Sequence, residues 1–202
     1  MNINEIDKID LEYLKIEDYE VIKELMQTSY PNMPGAYWKE HHIQTLLNKF
    51  PDGQVVIKVN GEIAGCALSI IVNYNKFEGG HTYKEVTDNY TFNTHDSNGD
   101  ELYGIDVFIK PNYRGLRLGR RLYDYRKELC EKLNLKGIAF GGRIPNYHKY
   151  AENNSPKEYI EKVKNKEIHD PVLNFQLSND FHPARILKDY LEGDSDSGEF
   201  AV

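Results

Sequence analysis

The stretch "IDVFIKPNYRGLRLGRRLYDYRKELC" (residues 105–130) constrains the fold more than any other. An apolar run stops at Pro111, which has no backbone N–H with which to continue a strand. A turn carrying Gly115 follows. Leu118, Leu122, Tyr125, Leu129 and Leu133 then fall on one helical stripe. Arg114, Arg117, Arg120 and Arg121 crowd the start of the helix, four of the seven arginines in a chain of formal net charge -7. A helix N-terminus carries partial positive charge and favours acids instead. Two readings stay open. Either the arginines join free backbone N–H groups in binding a small anion such as a pyrophosphate, or they decorate a solvated face and pair with Glu128 and Glu131.

Hydrophobic periodicity places the other elements. "KIDLEYLKI" alternates as a first strand, and "EDYEVIKELMQTSY" and "YWKEHHIQTLLNKF" read as helices. "GQVVIKV" and "EIAGCALSIIVNY" are strands joined through Asn60-Gly61, a pair suited to a tight hairpin turn. The second of these is apolar on both faces, as a central strand covered on both sides would be. Residues 75–102 form a long polar insert. "LKGIAFGGRIP" and "HPARILKDYL" read as further strands. "SPKEYIEKVKNKE" opens on a capping box with proline at the first helical position, and "DPVLNFQLSNDF" repeats the device with Asp170 and Pro171. The composition of residues 192–202 is that of a disordered acidic tail or a linker.

Composition narrows the function classes. With 202 residues the chain is long enough for one domain with a real core and short for two. Its acidic balance argues against nucleic acid as the main partner. Cys66 and Cys130 make no disulfide framework, "MNINEIDKID" holds no signal core, and the longest apolar run, residues 63–72, is too short to span a bilayer. These features lead us to expect a soluble cytoplasmic protein. No phosphate-loop, dinucleotide or nucleophile-elbow motif occurs, and no histidine spacing suits a metal, so no metal site is expected.

The unit "VFIKPNYRGLRLG" resembles the acetyl-CoA-binding motif of the GNAT superfamily of N-acetyltransferases, with Arg114 and Gly119 at the ends of the motif and Arg117 where the family carries its middle glycine. The likeness in element order extends over about residues 8–191. "YRGLRLGRRLY", "GGRIPNY" and "DPVLNFQLSNDF" together are most similar to the GNAT domains fused, in some bacterial proteins, to a carbon–nitrogen hydrolase (nitrilase-like) domain. "SDSGEFAV" resembles the junction.

The resemblance implies an α/β GNAT fold in residues 1–191: a mixed, mostly antiparallel sheet of about six to seven strands flanked by helices, with a splayed parallel pair forming the acetyl-CoA cleft. It implies that Val107, Phe108 and Ile109 pair with the pantetheine arm. The segment Arg114, Gly115, Leu116, Arg117, Leu118, Gly119 and Arg120 would hold the pyrophosphate, with N–H donors running on to Arg121. The implied activity is acetyl transfer from acetyl-CoA to a primary amine of a small molecule or peptide, by direct attack. Glu101 and Tyr103, taken to share a strand face with Val107, are the candidate catalytic groups, with Asp106 on the opposite face. Tyr147 is the candidate acid, because the family's usual tyrosine position is Gln176 here. His95 with Asp96 is a second choice of base. Arg143 is either a carboxylate-reading cation or the partner of a buried acid. A homodimer and a hydrolase domain in a longer parent protein belong to the same expectation. The alternative function is a non-catalytic CoA-binding module that regulates an amidohydrolase.

Overall fold

The strand read as central lies at the middle of the sheet. β3 (Glu62–Val72) is buried at every position after Glu62. It sits between β2 (Gln54–Val59) and β4 (Glu101–Ile109), antiparallel to both. β1 (Ile9–Tyr13) adds to β2, and β5 (Gly137–Ala139) runs parallel to β4, giving the order β1-β2-β3-β4-β5. Asn60 and Gly61 turn the β2–β3 hairpin with φ of 51° and 85°, as a two-residue turn requires. The computed structural model describes residues 6, 8–30, 32, 33, 35 and 37–202, so most of the N-terminal stretch read for a signal core lies outside the described residues. No helix among the described residues is long and apolar enough to cross a membrane.

The chain divides into two compact units, one built from residues 1–74 and 90–139, the other from 75–89 and 140–202. The polar insert is therefore split between them. In the first unit, α4 (Leu118–Lys132) covers one sheet face, where Leu118 and Leu122 pack on Val55, Ile57, Val59 and Ala67. Leu129 packs on Ile71 and Leu102. Truncating Leu122 to alanine costs about 2–5 kcal/mol, the range for a buried leucine. α1 (Tyr19–Ser29) packs on β3 and β4, and α2 (Glu40–Lys49) buries Ile43 and Leu46.

The second unit holds α3 (Tyr83–Val86), α5 (Pro156–Lys164) and α6 (Pro171–Leu177). Both sequence-read helix starts are present. The Ser155 hydroxyl accepts from the Glu158 N–H, and the Glu158 carboxylate accepts from the Ser155 N–H at 2.8 Å. Buried Asp170 accepts from the N–H groups of Val172 and Leu173 at 3.0 and 2.9 Å, and from the Tyr159 hydroxyl at 2.7 Å. This side chain ties α6 to α5.

The structure departs from the sequence reading in three places. Among the described residues the sheet has five strands, where about six to seven were expected. "HPARILKDYL" makes only an isolated bridge, Leu187 to Ala201; Pro183 offers no N–H, and Asp189 sits at φ 52°, which ends the extended run. β5 stops at Ala139, and Gly142 beyond it pairs with Val202. Residues 192–202, read as a disordered tail or linker, are folded. Asp194 is 1% exposed and Ala201 fully buried. The Arg143 guanidinium grips Asp194, with Nε donating at 2.7 Å and Nη2 to the second oxygen, so the acidic composition that suggested disorder is neutralised locally.

Candidate functional site

β4 positions the site. Its pairing with β5 lasts for three residue pairs, Glu101↔Gly137, Leu102↔Ile138 and Tyr103↔Ala139. From Gly104 to Ile109 the strand has β3 as its only ladder partner among the described residues, so a sheet edge roughly 20 Å long opens on the other side. This is the splayed parallel pair. Val107, Phe108 and Ile109 lie on the opened stretch.

The strand leads straight to the arginine cluster. A short 3-10 turn, Pro111–Tyr113, is fixed by the Tyr113 hydroxyl, which donates to Glu62 at 2.9 Å. Gly115 then takes φ 87°, and Arg117 takes φ 58° as the N-cap of α4. The Arg117 side chain does not cap the helix. Arg121 is the first residue of α4 whose N–H finds a carbonyl, that of Arg117 at 3.3 Å. The N–H groups of Leu118, Gly119 and Arg120 meet no acceptor among the described residues. Arg114, Arg117, Arg120 and Arg121 are exposed and form no ion pair among the described residues. The pairing with Glu128 and Glu131 is not formed. Three free donors, a helix dipole and four cations are groups that can attract a small anion.

A bulge rearranges the expected catalytic face. Leu68 opposes Asp106 but Ser69 opposes Gly104, so Ile105 is an extra residue in β4. Directly opposed residues share a sheet face. Val107 and Gly104 therefore face α4 with Ala67 and Ser69. Glu101 and Tyr103 lie on the other face, with Asp106. The expectation that Glu101 and Tyr103 share the Val107 face, with Asp106 opposite, is overturned because the extra residue breaks strict alternation. Arg126, 2% exposed on α4, braces the bulge. Its Nη2 donates to the carbonyls of Leu68 and Asp106 at 2.7 and 2.8 Å, and its Nε donates to the Ser69 hydroxyl at 3.0 Å. A Cβ on residue 104 would stand 2.7 Å from Arg126 Nη1, so a larger residue there would displace the guanidinium from its partners.

The candidate catalytic residues have unequal settings. Glu101 is half-buried at the start of β4. Tyr103 is fully buried. Tyr147 belongs to the second unit, is 6% exposed, donates to the Asn154 carbonyl at 3.1 Å, and has its ionisation pushed up by burial. His95 is built into the backbone: its Nδ1 accepts from the Ile71 N–H at 3.1 Å and its ring stacks on Phe50. Burial, then Lys49, holds its pKa below the ordinary value. Arg143 is the partner of a buried acid, Asp194, as one of its two readings required.

Two residues passed over in the sequence gain weight here. Asp106 is half-buried on the opened stretch, and its two oxygens accept from the Tyr30 hydroxyl at 2.7 Å and Trp38 Nε1 at 2.8 Å. Arg126 carried a legible signal, since it lies four residues after Leu122 and three before Leu129, on the buried stripe of α4.

A mixed sheet whose fourth strand parts from the fifth beside an arginine-rich helix start defines the class of α/β domain. The chain belongs to the acetyltransferase (GNAT) family, whose profile matches residues 19–151. It is 40% identical over 195 residues to YhcX of Bacillus subtilis (strain 168), a probable hydrolase. The match covers 96% of this chain but only 38% of that protein. It is 34% identical over 165 residues to the uncharacterized N-acetyltransferase YkwB of the same organism, covering 82% of this chain and 73% of that one. Among solved structures, the GphF GNAT-like decarboxylase in complex with isobutyryl-CoA shares the fold at TM-score 0.79 and 18% identity, over 96% of both chains.

Proposed function

We propose that this chain is an N-acyltransferase that takes acetyl-CoA as donor and a primary amine of a small molecule or peptide as acceptor. The observation that carries the reading is the trio of free N–H groups on Leu118, Gly119 and Arg120, reached directly from a strand whose edge opens at Gly104. A pyrophosphate fits the first and a pantetheine arm the second. Family membership and a fold neighbour holding isobutyryl-CoA support the same reading.

The residues of the chain would then divide the work as follows. Backbone groups of Val107, Phe108 and Ile109 align the pantetheine arm, and Arg114 with the α4 terminus holds the phosphates. Bound in this way, the donor supplies the activated acyl group. Glu101, directly or through water, takes the proton from the amine as it attacks. Asp106, fixed by Tyr30 and Trp38, attracts the amine in its ammonium form. Orientation supplies much of the acceleration. Tyr147 is the weaker candidate acid, because its hydroxyl is already committed to Asn154.

Incubating the protein with acetyl-CoA and an amine panel, with free thiol as the readout, tests the proposal. Thiol release that requires both components is expected, and it should fall at least tenfold in Glu101→Gln. Binding without turnover would instead favour the second reading, a CoA-binding module in a longer hydrolase-bearing protein, which the partial coverage of YhcX supports.

A further inference from the structure

We propose that Asp106 holds a second ammonium group of the acceptor, one that is not acylated, so that the acceptor is an aliphatic diamine or polyamine. The inference rests on the acyltransferase reading above and deepens it. Asp106 is half-buried on the opened stretch of β4, and its oxygens accept from the Tyr30 hydroxyl at 2.7 Å and Trp38 Nε1 at 2.8 Å. Neither donor carries charge, and two short bonds of this kind keep a carboxylate ionised. An ionised carboxylate stabilises the protonated form of any amine beside it. The nitrogen that forms the amide bond must first lose a proton, so the ammonium at Asp106 is not the attacking one. Glu101 lies on the same sheet face. It stands opposite Val72 and Asp106 opposite Leu68, roughly 14 Å apart along the strands. That spacing suits a flexible chain with a nitrogen at each end.

The surroundings of Asp106 hold it in one geometry, and all of them belong to the first unit. Trp38 is pinned through its backbone: its N–H donates to Met26 Sδ at 3.4 Å, and its carbonyl accepts from the Tyr19 hydroxyl at 3.2 Å. Its ring packs on Phe92 and Tyr90, with centroids 5.1 and 5.6 Å away. Those two residues take φ of 56° and 71°, a left-handed backbone that bulky side chains rarely adopt. Strain of this kind persists where the surrounding structure fixes it, and it gathers at ligand sites. Tyr30 is held in turn by an edge contact with Phe108 at 5.7 Å. The result is a carboxylate fixed between a tyrosine and a tryptophan, whose rings themselves attract organic cations.

Trp38 is the only tryptophan of the chain, so its fluorescence reports on this site without any turnover. Titration with spermidine, diaminobutane and butylamine, with and without acetyl-CoA, tests the proposal alongside thiol release on the same amines. Spermidine and diaminobutane should change the emission at concentrations about tenfold or more below butylamine, and kcat/KM should follow the same order. Asp106→Asn should abolish the preference while the affinity for acetyl-CoA holds, which separates lost recognition from lost folding. Tyr30→Phe, which removes one donor and no charge, should narrow the preference. Equal binding of butylamine and the diamines by the intact protein, or a preference that survives in Asp106→Asn, would overturn this inference and leave the acyltransferase reading standing. Diamine binding at Trp38 without thiol release would keep the cation site and overturn the acyltransferase reading.

Discussion

At the scale of single residues, buried charges carry the sharpest consequences. Arg126 replaces the missing ladder bonds at the β4 bulge, so Arg126→Met leaves two strand carbonyls without donors. We expect a loss of roughly 3 kcal/mol or more, read by urea unfolding. Asp170→Ala strips four donors of their acceptor, those of Asn146, Tyr159, Val172 and Leu173. It should cost about 2–4 kcal/mol by the same measurement. His95 sets a pH dependence. Its folded pKa lies below the ordinary value of about 6.5, so the unfolded chain binds its proton more readily. Stability from this group is complete above about pH 6.5 and is lost as pH falls through the folded pKa. His42 and His81, also depressed by burial, act in the same direction. The melting temperature should therefore drop between pH 7.5 and pH 5.5, roughly as these rings charge, and drop less in His95→Gln. A melting temperature independent of pH over that span would contradict the assignment.

At the scale of elements, what could be read from the sequence was whatever repeats regularly. α4 announced itself through its leucine stripe, β3 through an unbroken apolar run, and α5 through Ser155, Pro156 and Glu158. The face on which Glu101, Tyr103 and Asp106 sit was not legible. One extra residue in β4 reverses the alternation, and nothing local to the strand marks it except Gly104, whose partner Arg126 lies on another element. Composition likewise pointed to a free tail, because the cation that holds Asp194 is distant in sequence. At the start of α4, Arg120→Pro separates backbone from side chain. Proline is tolerated in a first helical turn, where its missing N–H breaks no helical bond. This variant should fold as Arg120→Gln does, yet bind CoA more weakly than that variant by about tenfold, for the loss of one charge-assisted donor. Equal binding by the two variants would remove the backbone from the account.

At the scale of the whole molecule, the chain supports its long second unit by closing on itself. Gly142 exchanges both backbone bonds with Val202, and Tyr190 accepts from the Tyr83 N–H at 2.7 Å, so distant segments share one fold. The match to YhcX covers 38% of that protein, so the activity its name states does not pass to this chain. The central claim concerns the first unit alone: the opened edge of β4 and the bare start of α4 together hold an acyl-CoA. Calorimetric titration of acetyl-CoA into the intact protein tests it most directly. The account predicts one site of micromolar affinity that weakens with salt and is lost in an Arg114→Glu, Arg120→Pro double variant that still melts cooperatively. No binding by the intact protein at millimolar acetyl-CoA, or undiminished binding by the double variant, would contradict it.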